Sequence, residues 1–171
     1  MIPLAPFGHT VFCDDIREEV AGKHSFIGVY GGNIVFKELP AQLPKLGLAI
    51  SYYEKIGESR LPVTLKVFVP GPDGDVVILQ SDLPMEGARA DAPRVLDNTP
   101  AGDQPLTLLQ ANLVLTPVQF HKPGRIRVRV YIGKKEEEIR LGSLTIEALP
   151  PASEGVTASF ASESESGPPA S

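Results

Sequence analysis

The run Arg125-Ile126-Arg127-Val128-Arg129-Val130-Tyr131-Ile132 decides the fold class of this chain. Its side chains alternate with period two. Ile126, Val128, Val130 and Ile132 fall on one face, and Arg125, Arg127, Arg129 and Tyr131 on the other. A helix would scatter both sets around its circumference, whereas an extended strand with one dry and one wet face keeps them apart. The pattern returns in Val63, Leu65, Val67 and Val69, set against Thr64, Lys66 and Phe68, and again in Leu109, Ala111, Leu113 and Leu115. Leu46, Leu48, Ile50 and Tyr52 line a further face, with the small residues Gly47, Ala49 and Ser51 opposite. Shorter β-rich runs lie at 10–13, 25–30, 33–36, 76–79 and 141–147. Those at 25–30 and 33–36 carry apolar residues on both faces, which predicts central or loop-covered strands.

Turn chemistry separates these runs. The 171 residues include 17 prolines and 16 glycines, a density suited to short strands joined by turns. Gly31-Gly32 predicts a tight hairpin, Pro70-Gly71-Pro72-Asp73-Gly74-Asp75 a turn, and Pro123-Gly124 the entry to the arginine strand. Eight or nine strands at this spacing predict an all-β fold, an antiparallel β-sandwich of immunoglobulin-like or C2-like type, with a small β-barrel as the alternative. The length fits one domain, placed at 1–149. Residues 150–171 are Pro, Ser, Ala, Gly and Glu for the most part and predict a disordered acidic tail, while 84–104 predict a long polar surface excursion.

The strand after 125–132 permits a register prediction. With Gly133-Lys134 as a two-residue turn, Arg129 faces Glu138 and Tyr131 faces Glu136, while Val128 meets Ile139 and Ile126 meets Leu141. The inward set then changes parity, from Ile139 and Leu141 to Leu144 and Ile146, which predicts a bulge or bend at Gly142.

The totals also bear on function. A net charge of −5 argues against bulk attraction to nucleic acid or to anionic membrane. Cys13 is the only cysteine, so no intrachain disulfide forms and a reducing compartment is compatible. The N-terminal Met1-Ile2-Pro3-Leu4-Ala5-Pro6 lacks the basic region and apolar run of a signal peptide, and no apolar stretch approaches the ~20 residues of a membrane helix. The expectation is a cytoplasmic protein that contacts neither nucleic acid nor membrane.

The most distinctive stretch is Cys13-Asp14-Asp15-Ile16-Arg17-Glu18-Glu19, followed by Gly22-Lys23 and then Phe26-Ile27-Gly28-Val29-Tyr30-Gly31-Gly32. It resembles the N-terminal signature of an uncharacterised bacterial family, a domain of unknown function. The later Pro123-Gly124-Arg125-x-Arg127-Val128-x-Val130-Tyr131 run is similar to that family too. The resemblance covers roughly 8–148 and is strongest over 12–31. It implies a bacterial cytoplasmic β-protein and carries over no activity, ligand or catalytic residue.

As local structure, 14–23 predicts a connection with a short helical turn. Asp14 or Asp15 caps it, Ile16 and Val20 pack at i, i+4, Gly22 ends it, and Arg17 and Lys23 pair with the acids. As a site, Asp14, Asp15, Arg17, Glu18, Glu19 and Lys23 form a polar recognition loop. Its four carboxylates are ligands of the kind that hard cations take, but the spacing is not an EF-hand loop and two basic residues compete. Asp73 and Asp75 form a second loop cluster and Asp91, Asp97 and Asp103 a third, as in calcium-dependent lipid-binding sandwiches, an architectural analogy only.

Other constellations weigh less. Cys13 with His9 or His24 could make a nucleophile–base pair, but Asp14 and Asp15 would raise the thiol pKa, and a small buried hydrophobe is the better account. His9, His24 and His121 show no metal-ligand spacing, and the chain carries no nucleophile elbow, P-loop or dinucleotide fingerprint. Arg125, Arg127, Arg129 and Arg140 could hold phosphates, yet Glu136 and Glu138 neutralise part of the row, and a solvated strand face is favoured. The expectation is a non-enzymatic binding module, without a cofactor or bound metal, that meets a protein partner through 14–23, with a homodimer through an unpaired sheet edge as a further contact. The alternative is a small-ligand or divalent-metal-binding β-protein using the acidic loop residues. Structural assembly within a larger particle is a third option.

Overall fold

The computed structural model describes residues 6–55, 62–83, 106–133 and 137–150. The expected excursion at 84–104 and, past Pro150, the expected tail lie outside the described residues. The described chain forms twelve strands and no helix: β1 (Phe7–Cys13), β2 (Asp15–Glu19), β3 (Lys23–Ile27), β4 (Asn33–Phe36), β5 (Ala41–Leu43), β6 (Leu46–Lys55), β7 (Val63–Pro70), β8 (Asp75–Leu83), β9 (Leu106–Leu115), β10 (Val118–Phe120), β11 (Gly124–Ile132) and β12 (Glu137–Ala148). The strands beyond the expected eight or nine are short. β5 and β10 have three residues each, too few to show alternation, and β2 falls in the stretch expected to turn helically.

A five-stranded sheet, β4-β12-β11-β7-β8, packs on a three-stranded sheet, β1-β6-β9; the pairs β10-β5 and β2-β3 stand beside them. No ladder closes on itself among the described residues, so the architecture is a β-sandwich and the barrel alternative is set aside. The alternating rows read from the sequence are the core. Val63, Leu65 and Val67 from β7 and Ile126, Val128 and Val130 from β11 face Leu48, Ile50 and Tyr52 from β6, all buried in one cluster. Each such side chain withdrawn from water contributes about 1.5–3 kcal/mol.

Glycines let the sheets meet at one corner. A Cβ on Gly8 of β1 would lie 2.7 Å from Leu141 Cδ2 of β12, and one on Gly142 would lie 3.2 Å from Thr10 Cβ and 3.5 Å from Phe12 Cε2. Gly142 sits at the expected bulge: Val128 pairs with Gly142 but Arg129 pairs with Arg140, so Leu141 is the extra residue. At φ 153° Gly142 occupies backbone space that side chains rarely enter. Buried Arg129 completes the bulge, donating Nη1–H to the carbonyls of Val128 at 2.8 Å and Gly142 at 3.0 Å.

The expected hairpin register is corrected by two residues over Arg129–Ile132 and, past the extra Leu141, by three over Gly124–Val128. Tyr131, not Arg129, stands opposite Glu138, Ile132 stands opposite Glu137, and Ile126 meets Leu144. β12 starts at Glu137, past the two-residue turn expected at Gly133-Lys134. A slip of two leaves every side chain on its own face, and the extra residue Leu141 takes up the third, so the buried set survives the error. Arg129 still reaches Glu138 diagonally, Nε to Oε1 at 3.1 Å. Gly31-Gly32 does not make a hairpin either. β3 pairs with β2, while β4 runs parallel to β12, with Ile34 beside Ile146, at an edge of the large sheet and not at its centre.

Candidate functional site

The polar stretch after β1 forms a β-hairpin, which corrects the helical-turn expectation. Asp15 pairs with Ile27, Ile16 with Phe26, Arg17 with Ser25, Glu18 with His24 and Glu19 with Lys23. The i, i+4 spacing of Ile16 and Val20 also fits a strand followed by a turn, and packing decides between the two. Ile16 settles against Gly47 of β6, where an added Cβ would lie 2.9 Å from Ile16 Cγ1 and 2.8 Å from Cys13 Sγ. Val20 instead stands at the tip, 90% exposed, followed by Ala21 and Gly22 at φ 65° and 69°. Left-handed backbone costs a non-glycine residue about 1–2 kcal/mol, so Ala21 holds strain there.

The hairpin base is latched. The Asp14 amide donates to the Ile27 and Gly28 carbonyls at 2.9 and 3.2 Å, and the Tyr30 amide donates to Phe12 O at 2.9 Å. The Tyr30 hydroxyl donates to Asp14 Oδ1. Gly28, at φ 65°, leaves room for the same carboxylate: a Cβ there would lie 2.7 Å from Asp14 Cγ. Burial, then the hydrogen bond from its hydroxyl to Asp14, holds the Tyr30 phenol well above its ordinary value. Burial likewise raises the Cys13 thiol, with Asp14 and Asp15 adding to it, so this fully buried sulfur stays protonated at neutral pH.

The six residues expected to act together are therefore divided. Asp14 belongs to the latch. Asp15 caps its own strand, accepting from Ile16 N at 3.1 Å, and pairs with Lys45 at 3.3 Å and with Arg17 at 3.9 Å. Strand alternation puts Asp15, Arg17, Glu19 and Lys23 on the outer hairpin face, and Glu18 with Ile16, His24 and Phe26 on the inner one. The four carboxylates do not converge, and among the described residues no three His, Cys, Asp or Glu side chains are placed to hold a metal ion. Of the second acidic cluster, Asp75 pairs with Arg127; Asp91, Asp97 and Asp103 lie outside the described residues.

Two features of this region were missed by sequence reasoning. Tyr30 and Gly28 lie inside the signature stretch, but nothing in their spacing shows that they meet Asp14. The second is apolar exposure: Val29, Phe26 and Ile27 are 58%, 41% and 37% exposed. The inner hairpin face also overhangs the outer face of the three-stranded sheet and leaves a cleft of about 340 Å³, into which His24 and Phe26 reach.

The arginine row lies on the outer face of the five-stranded sheet. Arg127 pairs with Asp75 and lies over Phe68, 5.1 Å from the ring centre, while Lys66 lies 4.7 Å from that of Tyr131. Arg129 and Arg140 share Glu138 at 3.1 and 3.3 Å. Burial pulls the Arg129 guanidinium down from its usual value, against the pull of Glu138. Much of the row's charge is thus engaged by carboxylates and rings; Arg125 and Arg140 are exposed as a solvated strand face requires, while Arg129 departs from that expectation by being buried.

Residues 9–144 match the model of a family of unknown function (DUF6941), and the chain belongs to that family. No curated protein matches the chain. The match agrees with the expectation of an uncharacterised family and brings no activity or ligand with it.

Proposed function

We propose that the chain is a non-enzymatic binding module of a bacterial cytoplasmic protein, and that its β2–β3 hairpin recognises a protein partner. One observation carries this: a hairpin latched at its base presents Val20, Phe26, Ile27 and Val29 to solvent, interleaved with Arg17, Glu18, Glu19 and Lys23. Apolar anchors among charged side chains on a preorganised element are the composition of a recognition surface, where a few buried anchors carry most of the affinity. The buried, uncharged thiol of Cys13 fits a reducing compartment.

The test uses the full chain as bait, wild type beside Val20→Asp and Val29→Asp. The expected result is a stoichiometric partner retained by wild type and weakened at least thirtyfold by either charge, as loss of a hot-spot anchor of roughly 2 kcal/mol requires. Equal recovery by all three baits would overturn the assignment.

A second contact is favoured by β8, an edge strand on which Val76, Val77 and Ile78 stand exposed in succession. Such an edge offers unpaired backbone groups to a second copy of the chain. Light scattering should show a dimer that Val77→Lys dissociates; a monomer at all concentrations would exclude this contact.

A further inference from the structure

The outer face of the three-stranded sheet has a polar centre. Ser51 of β6 pairs with His9 on one side and Gln110 on the other, and in the next row Ala49 pairs with Val11 and Asn112. The flanking rows are apolar, with Phe7, Tyr53 and Leu108 at one end and Cys13, Gly47 and Val114 at the other. The hairpin roofs the polar centre with Phe26 and His24, enclosing a cleft of about 340 Å³. Small-molecule pockets begin at about 300 Å³.

Two properties of the lining restrict what it can hold. Among the described residues, no lysine, arginine, aspartate or glutamate borders the cleft; its ionisable side chains are His9, His24 and Tyr53, so a charged ligand would lose its hydration without a permanent countercharge. The side chains of Ser51, Gln110 and Asn112 also make no hydrogen bond to any other described residue. Carboxamides and hydroxyls both donate and accept, the demand that a ligand hydroxyl makes. The apolar surface of Phe26, Val11 and Ala49 lies among them. Hydrogen-bonding edges beside a C–H face are the surface of a sugar.

We infer that the cleft between the hairpin and the β1-β6-β9 sheet binds a small neutral polyhydroxylated compound, of mono- or disaccharide size. Gln110 and Asn112 read its hydroxyls from the sheet, Ser51 forms the floor, and Phe26 covers a C–H face from above. This site lies under the inner hairpin face and shares Phe26 with the protein-partner reading, but the anchors that test that reading, Val20 and Val29, do not line the cleft.

The test is a titration of the ¹⁵N-labelled full chain with D-glucose, D-galactose, N-acetyl-D-glucosamine and maltose, followed by NMR. At least one sugar should give saturable shifts on the Gln110 and Asn112 side-chain amides and on the Phe26 backbone, with a dissociation constant in the millimolar range or tighter. Gln110→Ala with Asn112→Ala should weaken binding at least tenfold while leaving the melting temperature in place, since both side chains are exposed. Glucuronate and glucosamine, which add charge to the same ring, should bind several-fold more weakly. Val20→Asp should leave the titration unchanged, which separates failure here from failure of the partner assignment. No saturable shift with any of the four sugars, unchanged affinity in the double variant, or tighter binding of the charged analogues would each overturn the inference.

Discussion

Gly28→Ala tests the hairpin latch. The substitution places a Cβ 2.7 Å from Asp14 Cγ, on a backbone held at φ 65°. The left-handed conformation costs alanine about 1–2 kcal/mol. The Asp14 carboxylate must also swing aside and release the Tyr30 hydroxyl, a charge-assisted hydrogen bond of about 1.5–3 kcal/mol at full burial, taken here as about 1–2 kcal/mol because the pair is exposed. Gly28→Ala should therefore destabilise by about 2–4 kcal/mol. Asp14→Ala should destabilise by about 1–2 kcal/mol through the latch alone. In the double variant the carboxylate is absent, so alanine at 28 meets only its own backbone strain. The two single losses then sum to more than the double loss by about 1–2 kcal/mol, a coupling read by double-mutant cycle. Urea unfolding of the four proteins measures this, with m-values unchanged so that midpoints report stability. Additivity within about 0.5 kcal/mol would refute the latch, because it would mean that Gly28 and the Asp14 carboxylate do not share one space.

Gly142→Val should destabilise by about 2–4 kcal/mol, since it forces a branched side chain into φ 153° and against Thr10; a melting temperature within error of wild type would remove the bulge from its place at the sheet corner. Arg129→Met should cost about 2–3 kcal/mol by chemical denaturation because the Val128 and Gly142 carbonyls lose their donor; a neutral outcome would show that water replaces it. The Tyr30 phenol gives a pH dependence with a definite sign. In the unfolded chain it titrates near ~10, while the folded chain holds it higher, so its contribution is intact below about pH 10 and is lost as pH rises through the folded value. Tyr30→Phe should lose stability less steeply than wild type between about pH 9.5 and 11, the raised Cys13 thiol contributing equally to both; parallel curves would contradict the shift.

The arginine strand alone determined most of the architecture. Ile126, Val128, Val130 and Ile132 are buried as their spacing requires, because period two leaves a strand no choice of face. The parity change around Gly142 foretold the bulge, since only an inserted residue returns both Leu141 and Leu144 to the core. Register was not legible, because a slip of two preserves every face and the turn that fixes it has no unique length in the sequence. The short strands β5 and β10 were illegible for want of a period. The stretch 14–23 was ambiguous at the level of sequence, as Ile16 and Val20 satisfy a helical turn and a strand alike. Tertiary packing settled it: Gly47 provides the slot for Ile16, and Tyr30 and Gly28 close around Asp14. The cleft under the hairpin was decided there too. Its walls come from β1, β3, β6 and β9, strands more than 80 residues apart in the chain at the extremes, and no local pattern encodes which distant polar side chains will share one space.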